Sequence, residues 1–393
     1  MSALDLFSSK EIGERLRVAR ESRNLTQQEA AQKINIARTT LVAIEKGERR
    51  VRLSEVQELS NLYGSTMNSL FRSEAIHVDL APRFRKLSSA DDCAIAFAAQ
   101  LMSNLARAEL ELENLLGIKR RKDYLSERPI LPGDIQIQAE QRAMDLREIL
   151  GLGFAPIVDI VSLLELELHF RVYIRRIDSK ISGLFAYDDA LGPCILLNAS
   201  HSRERRTQSA VHECGHFISA RSQPEVLPSD EIDNSREERF AVAFGQAFLA
   251  PAEGVMQKFR DITAGGENLT RRHVIVLSHF FGLSREAMVR RLETLKLVKQ
   301  GAWDWFESNG GITNEQAQQV LGDLRIPEKE NLDADRPTTL RLGMLADEVH
   351  RKELLSEGQL ARLLCLDRVE LRKILEEVDS EGKDVDGALK ILG

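Results

Sequence analysis

The sequence predicts a multi-domain protein with an all-α N-terminal domain, an α+β domain in the middle and a mainly helical C-terminal region. Three observations predict it. At 393 residues the chain exceeds one ordinary domain and has material for at least one sizeable core. Its first 72 residues divide into short amphipathic stretches at helical spacing, whereas "LHFRVYIRRI" further on alternates as a strand does. Apolar content of 43% and charged content of 29% are ordinary globular values, which excludes a disordered chain or a coiled-coil rod.

No run of about eighteen uncharged apolar residues exists, so no membrane helix is expected. The N-terminus "MSALDLFSSKEIGERL" has neither a basic start before an apolar block nor a small-residue cleavage site, and the expectation is a cytoplasmic protein. Cys93, Cys194, Cys214 and Cys365 lack CxxC spacing, which disfavours a disulfide framework and a cysteine zinc site and predicts reduced, mostly buried thiols. Net charge is −7, against a protein coated in nucleic acid, yet from Lys10 to Arg72 there are 12 Lys/Arg against 8 Asp/Glu. That local positive excess directs attention to the N-terminus.

In "IGERLRVARESRNLTQQEAAQKINIARTTLVAIEKGERRVRLSEVQELSNLYGST", Ile12, Leu16 and Ala19 recur at helical spacing. Asn24-Leu25-Thr26 breaks the pattern, and Thr26 with Glu29 forms a capping box for a helix from Gln27 to Lys33. Asn35 tolerates the left-handed conformation of a tight turn. Ala37 to Glu45 predicts a third helix, with Gly47 available as its C-cap, and Leu53, Val56, Leu59 and Leu62 line a fourth. Two short helices across a three- or four-residue turn form a helix-turn-helix, whose second member enters the major groove. Four solvated helices binding a protein partner are the blander alternative.

"LTQQEAAQKINIARTTLVAIEKGER" resembles the Xre/Cro-like helix-turn-helix family almost throughout, over roughly residues 10–70, with Asn35 standing where glycine is usual. The resemblance implies that Gln27 and Gln28 lie beside phosphate and that Ala37, Arg38, Thr39 and Thr40 face base edges of a double-stranded DNA operator. Arg38 is the candidate for a bidentate contact to guanine. A homodimer on a symmetric site is the usual arrangement of such readers.

"SADDCAIAFAAQLMSNLARAELELENLLG", residues 89–117, implies one long helix whose apolar stripe serves packing or a dimer surface. "IKRRKDYLSERPILPGD" reads as a solvated linker. Beyond it, "IQAEQRAMDLREILGLG" and "IVDIVSLLELE" read as helices, "LHFRVYIRRI" as a strand, and "SGLFAYDD" with "CILLNAS" as a hairpin. A helix packed on this small sheet is the simplest α+β layout.

That helix carries "SAVHECGHFISA", with two of the chain's eight histidines. His212 and His216, four apart, project one turn apart from one helix face, so both imidazoles can aim at one ion. Glu213 lies about 100° round from His212, close enough to act on a water at the ion without becoming a ligand. Zinc would polarise that water and a substrate carbonyl, while the carboxylate takes the proton and passes it to the leaving amine. Thr207, Gln208 and Ser209 supply the helix's polar start, Gly215 permits a close approach, and Cys214 faces the core. His169, His273 and His279 lack partners at ligand spacing. A third ligand is needed, and "HFISARSQPEV" holds no third histidine in place, so a downstream acid is required. The amphipathic helix "SREERFAVAFGQAFLAP" offers Glu237 and Glu238.

"ILLN", "RRTQSAVHECGH" and "EERFAVAFGQAFLAP" resemble the ImmA/IrrE family of zincin-like metallopeptidases, over about residues 135–295. Phe244, Ala241 and Pro251, aligned on the family pattern, imply Glu238 rather than Glu237 as the third Zn2+ ligand. Val242, Gly245, Ala250 and Cys214 depart from the pattern without removing a ligand. In the C-terminal region "LSEGQLARLLCLDRVELRKIL" has the cadence of another helix-turn-helix; a small packing module is the simpler reading, because acids in "EEVDSEGKDVD" argue against phosphate contact.

The expected division is 1–72 reader, 73–134 helical connector and linker, 135–298 peptidase-like and 299–393 helical. The resemblances imply a transcriptional regulator with its own zinc endopeptidase, cutting a DNA-binding repressor, an antitoxin-like protein or itself under stress. A regulator whose peptidase-like domain senses a metal or ligand without cutting is the alternative.

Overall fold

The computed structural model describes residues 9–23, 25–63, 93–120, 122, 124–221, 225–228, 235–264, 266, 268–322 and 338–383. Asn24, residues 89–92 of the expected long helix and the polar stretch 323–337 lie outside them. The chain divides into two compact units, Met1–Asp79 and Leu80–Gly393.

The first unit holds α1 (Ser9–Ser22), α2 (Gln27–Lys33), α3 (Arg38–Glu45) and α4 (Leu53–Tyr63). Thr26 and Glu29 form the reciprocal capping box that starts α2, and Asn35 takes φ 54° in the turn before α3. Ile12, Leu16, Ala30, Leu41, Ile44, Val56 and Leu59 close one small core. A Cβ on Gly13 would stand 2.2 Å from the Ile44 carbonyl oxygen, so only glycine lets α1 and α3 approach this closely.

The second unit begins with α5 (Cys93–Leu116) and α6 (Ile135–Ile149). "IVDIVSLLELE" does not form one α-helix: α7 spans only Ile160–Ser162 and continues as a wider π turn over Leu163–Glu167. His169, at φ 58°, then turns the chain into the sheet. The sheet has four strands, β1 (Arg171–Arg175), β2 (Ile181–Asp188), β3 (Gly192–Asn198) and β4 (Glu225–Pro228), in the order β1-β3-β2-β4. β2 and β3 form the expected antiparallel hairpin, while β1 joins β3 in parallel.

Alternation on β1 sends Val172 and Ile174 into the main core and Arg171 and Tyr173 to the opposite face. On that face α5 covers the polar side of the strand. Tyr173 donates to Glu109 at 2.7 Å, and Arg171 donates to Glu113 at 2.7 Å. Arg120, read from sequence as part of a solvated linker, has its side chain largely covered here: it binds Glu109 at 2.6 Å and donates to the Phe170 carbonyl at 2.5 Å. The basic run therefore contributes a structural cation, because two buried carboxylates on α5 need more than one partner.

After β3 comes α8 (Arg203–Ala220), which crosses α9 (Arg236–Leu249); α9 in turn lies along α6. Phe240, Phe244 and Phe248 stack at one-turn spacing in the core. α10 (Ala252–Thr263), α11 (Arg271–Phe281) and α12 (Arg285–Thr294) follow, with α13 (Ala302–Ser308), α14 (Asn314–Leu321), α15 (Leu340–Arg351), α16 (Glu357–Leu363) and α17 (Arg368–Lys383). Of the cysteines, Cys194 and Cys214 are buried but Cys93 and Cys365 are exposed, so the expectation of mostly buried thiols holds for half of them. Among the described residues no helix is long and apolar enough to cross a membrane.

Candidate metal centre and nucleic-acid interface

α8 starts four residues earlier than its Thr207–Ser209 segment, at Arg203, because Ser202 caps it by accepting from the Arg205 amide. Two turns further in, His212 and His216 lie on its buried face with their Nε2 atoms 2.9 Å apart. Ser235 caps α9 by accepting from the Glu238 amide, which places Glu238 in the first turn of that helix. Glu238 Oε2 stands 3.2 Å from His212 Nε2 and Oε1 stands 3.1 Å from His216 Nε2. Glu237 is exposed, whereas Glu238 is buried.

The crossing depends on small residues. A Cβ on Gly215 would come within 2.9 Å of the Ala241 Cα, so a side chain there would push α9, and Glu238 with it, away from the histidines. Gly245, on the other helix, leaves 3.7 Å to the His212 amide nitrogen.

These three residues form a group able to hold a metal ion, with all ligand atoms within 4.8 Å of one another. Bonds of about 2.0–2.1 Å around a tetrahedral zinc separate ligand atoms by roughly 3.3 Å, close to the spacing of this triangle. Burial pushes the His212 imidazole below its usual value, against the pull of Glu238. Burial would raise Glu238, but the two histidines outweigh it and hold the carboxyl well below the usual range. A neutral His212 imidazole beside an ionised carboxylate is in the protonation state that a divalent cation requires. The donor set fits the ion.

Glu213 is fully buried and lies outside this triangle. Its carboxylate rests against β2, where a Cβ on Gly183 would stand 3.3 Å from Glu213 Oε1. Cys214 is buried on the core side, and burial pushes its thiol up to about 12, which rules it out as a ready thiolate. His273 serves locally in the box that caps α11 with Thr270.

On the first unit, Gln28, Ala37, Arg38 and Thr39 are exposed and Thr40 is half-buried. Gln27 is turned inward: its amide donates to Glu45 at 2.8 Å. The same carboxylate takes Arg20 in a bidentate pair at 2.7 and 3.1 Å. Sequence reasoning missed the Arg20–Glu45–Gln27 network, because residues 25 apart in an amphipathic series give no spacing signal. It also missed Glu109 and Glu113, for which acids inside the apolar stripe of α5 were the available signal.

Residues 16–70 match the helix-turn-helix family model, and residues 167–293 match the model described as the IrrE N-terminal-like domain, a peptidase family. The cryptic phage CTXphi transcriptional repressor RstR of Vibrio cholerae is 32% identical over 89 residues, covering 22% of this chain and 76% of that repressor. The chain belongs to the helix-turn-helix family and carries an IrrE-like peptidase domain. All three grouped metal donors fall within the IrrE-like match, and the exposed start of α3 falls within the helix-turn-helix match. Within the IrrE-like domain, Val242 is 40% exposed, so this departure from the family pattern touches the surface. Gly245 and the buried Ala250 sit in the packing around α9.

Proposed function

We propose that this protein is a DNA-binding transcriptional regulator whose IrrE-like domain is a zinc-dependent endopeptidase. Its substrate is a DNA-binding repressor, an antitoxin-like protein or the chain itself, and cleavage belongs to a stress response. The convergence of His212, His216 and Glu238 from two crossing helices carries this reading. The domain's family is a peptidase family, and the helix-turn-helix domain with its resemblance to a phage repressor supports binding to an operator.

His212 and His216 would hold the ion with neutral nitrogens and Glu238 with its charge. When bound, zinc supplies polarisation of a water and of the scissile carbonyl. Glu213 takes the proton from the attacking water and delivers it to the leaving amine, so that one peptide bond breaks and one water is consumed.

Metal analysis of the purified protein, followed by incubation with the regulator encoded beside it, tests this. Stoichiometric zinc and a specific cleavage that Glu213→Gln abolishes, with zinc retained, are expected. Full zinc occupancy without cleavage of any neighbour-encoded protein would replace the enzyme with a metal or ligand sensor.

A further inference from the structure

The helix-turn-helix of the N-terminal unit occurs a second time. Residues 355–374 align with residues 25–44 without a gap, 330 residues later, with five identities: Leu25, Ala31, Arg38, Leu41 and Ile44 recur as Leu355, Ala361, Arg368, Leu371 and Ile374. The backbone repeats too. Ser356 and Gln359 form a capping box as Thr26 and Glu29 do, and α16 has the seven residues of α2. In the turn, Cys365 takes φ 53° where Asn35 takes 54°. The turn amides of Leu364, Cys365 and Leu366 donate to Leu360, Arg362 and Ala361, matching Ile34, Asn35 and Ile36 with Ala30, Gln32 and Ala31. The preceding helix follows suit, with Leu342 and Ala346 buried where Ile12 and Leu16 are buried.

The chemical difference lies in where the charges stand, above all at the start of the second helix. α3 begins at Ala37, which has no side-chain hydrogen bond to give its first amides. α17 begins at Asp367, whose carboxylate accepts from the amides of Val369 and Glu370 at 2.7 and 2.8 Å. Amides that would meet an anion are thus already bound to an acid of the chain. Neutral Gln27, Ala37 and Thr40, at the positions expected to meet DNA, are replaced by Glu357, Asp367 and Glu370; the bases gained stand at other positions, as Arg362, Arg372 and Lys373, and Arg372 is tied to Glu357 at 3.0 Å. At the positions that would meet phosphate or base edges, a nucleic acid would face these three carboxylates.

The second copy instead has a protein ligand. Arg341 of α15 reaches Glu113 at 2.5 Å and Glu109 at 3.4 Å on α5. From β1 the buried Arg175 donates to the Leu364 carbonyl at 3.3 Å, at the end of α16. A helix end is the natural seat for a guanidinium. We infer that residues 340–376 are a second helix-turn-helix turned from DNA to protein, an internal clamp whose partner is this chain's own α5 and β1.

The full-length protein tests this with random-sequence double-stranded DNA and its own promoter as probes. The triple variant Arg368→Ala, Arg372→Ala, Lys373→Ala is expected to bind both within about twofold of wild type, with an unchanged slope of log affinity against log salt. A slope shallower by about two or more, the mark of lost phosphate contacts, overturns the inference. Giving the second copy the first copy's residues, by Glu357→Gln, Asp367→Ala and Glu370→Thr, is expected to strengthen random-duplex binding. A wild type that shifts no duplex overturns the operator reading instead, and limited proteolysis then decides the clamp. Arg341→Met and, separately, Arg175→Met are expected to speed cleavage of the C-terminal helices while the N-terminal unit stays protected. Wild-type protection in both variants would overturn the clamp.

Discussion

Gly215 and Gly245 show how little space decides the metal centre. The first meets backbone at 2.9 Å and the second leaves ordinary contact distance. Gly215→Ala is therefore expected to cost about 1–3 kcal/mol by overpacking and to weaken zinc binding, since Glu238 moves with α9. Gly245→Ala should leave both nearly unchanged, and thermal unfolding with zinc titration measures the pair side by side. On the DNA side, exposed Arg38 opens α3. Arg38→Ala is expected to lower affinity for the protein's own promoter by about 1–3 kcal/mol, read by mobility shift, if it makes a bidentate base contact. An unchanged shift would remove Arg38 from the recognition surface. The histidine pair was readable because a helix repeats every turn. Glu238 was separable from Glu237 only through the family resemblance, since adjacent acids at a helix start have no periodicity to distinguish them.

At the scale of elements, α1, α2 and α3 are joined by a carboxylate rather than by apolar contact alone. Arg20 and Glu45 have side chains 8% and 2% exposed, so neither charge can turn to water if its partner is lost. Glu45→Ala is expected to destabilise the N-terminal unit by about 3–5 kcal/mol, whereas Arg20→Met with Glu45→Leu should recover most of that loss. Urea unfolding of the two variants distinguishes a needed pair from a replaceable one. The helices themselves were legible: Thr26, Asn35 and Gly47 are local signals of caps and turns, and they act within a few residues. β1 was legible as a strand but not as a buried one. Arg171 looks solvent-facing until α5 supplies its acids, and Arg175 until the end of α16 supplies a carbonyl.

The whole molecule behaves as two units, and its responses should separate accordingly. Removing metal with a chelator is expected to lower the melting transition of the second unit while leaving the helix-turn-helix transition in place, because an ion held only by the native state stabilises that state alone. Calorimetry with and without zinc reads this. A second global response comes from Glu165, on the π turn beside the ionic cluster. Burial pushes its carboxyl from the usual 4.5 up to about 8, against the Thr339 hydroxyl, with nearby Glu109 adding to the rise and Arg120 and Arg341 opposing it. The native state therefore keeps a proton that the unfolded chain releases, so stability falls as pH rises between those values. Glu165→Gln removes this loss, and its advantage over wild type should grow from pH 5 to pH 8, reaching on the order of 2–4 kcal/mol. An advantage that shrinks over that range would refute the assignment.

From the primary structure alone come the three-part fold class, the helix-turn-helix, the hairpin and the two-histidine helix, because each is written in spacings of a few residues. Packing settled the rest. The position of Glu238 against His212 and His216 depends on two helices meeting where Gly215 faces Ala241, a contact between segments that no local spacing announces. The gathering of Arg120, Arg171 and Arg341 around the buried Glu109 and Glu113 joins four segments that share no sequence period. A charge by itself reads as a surface residue, since isolated burial is prohibitively costly. Only when the fold brings opposite charges together does burial become affordable, and that information resides in no single stretch.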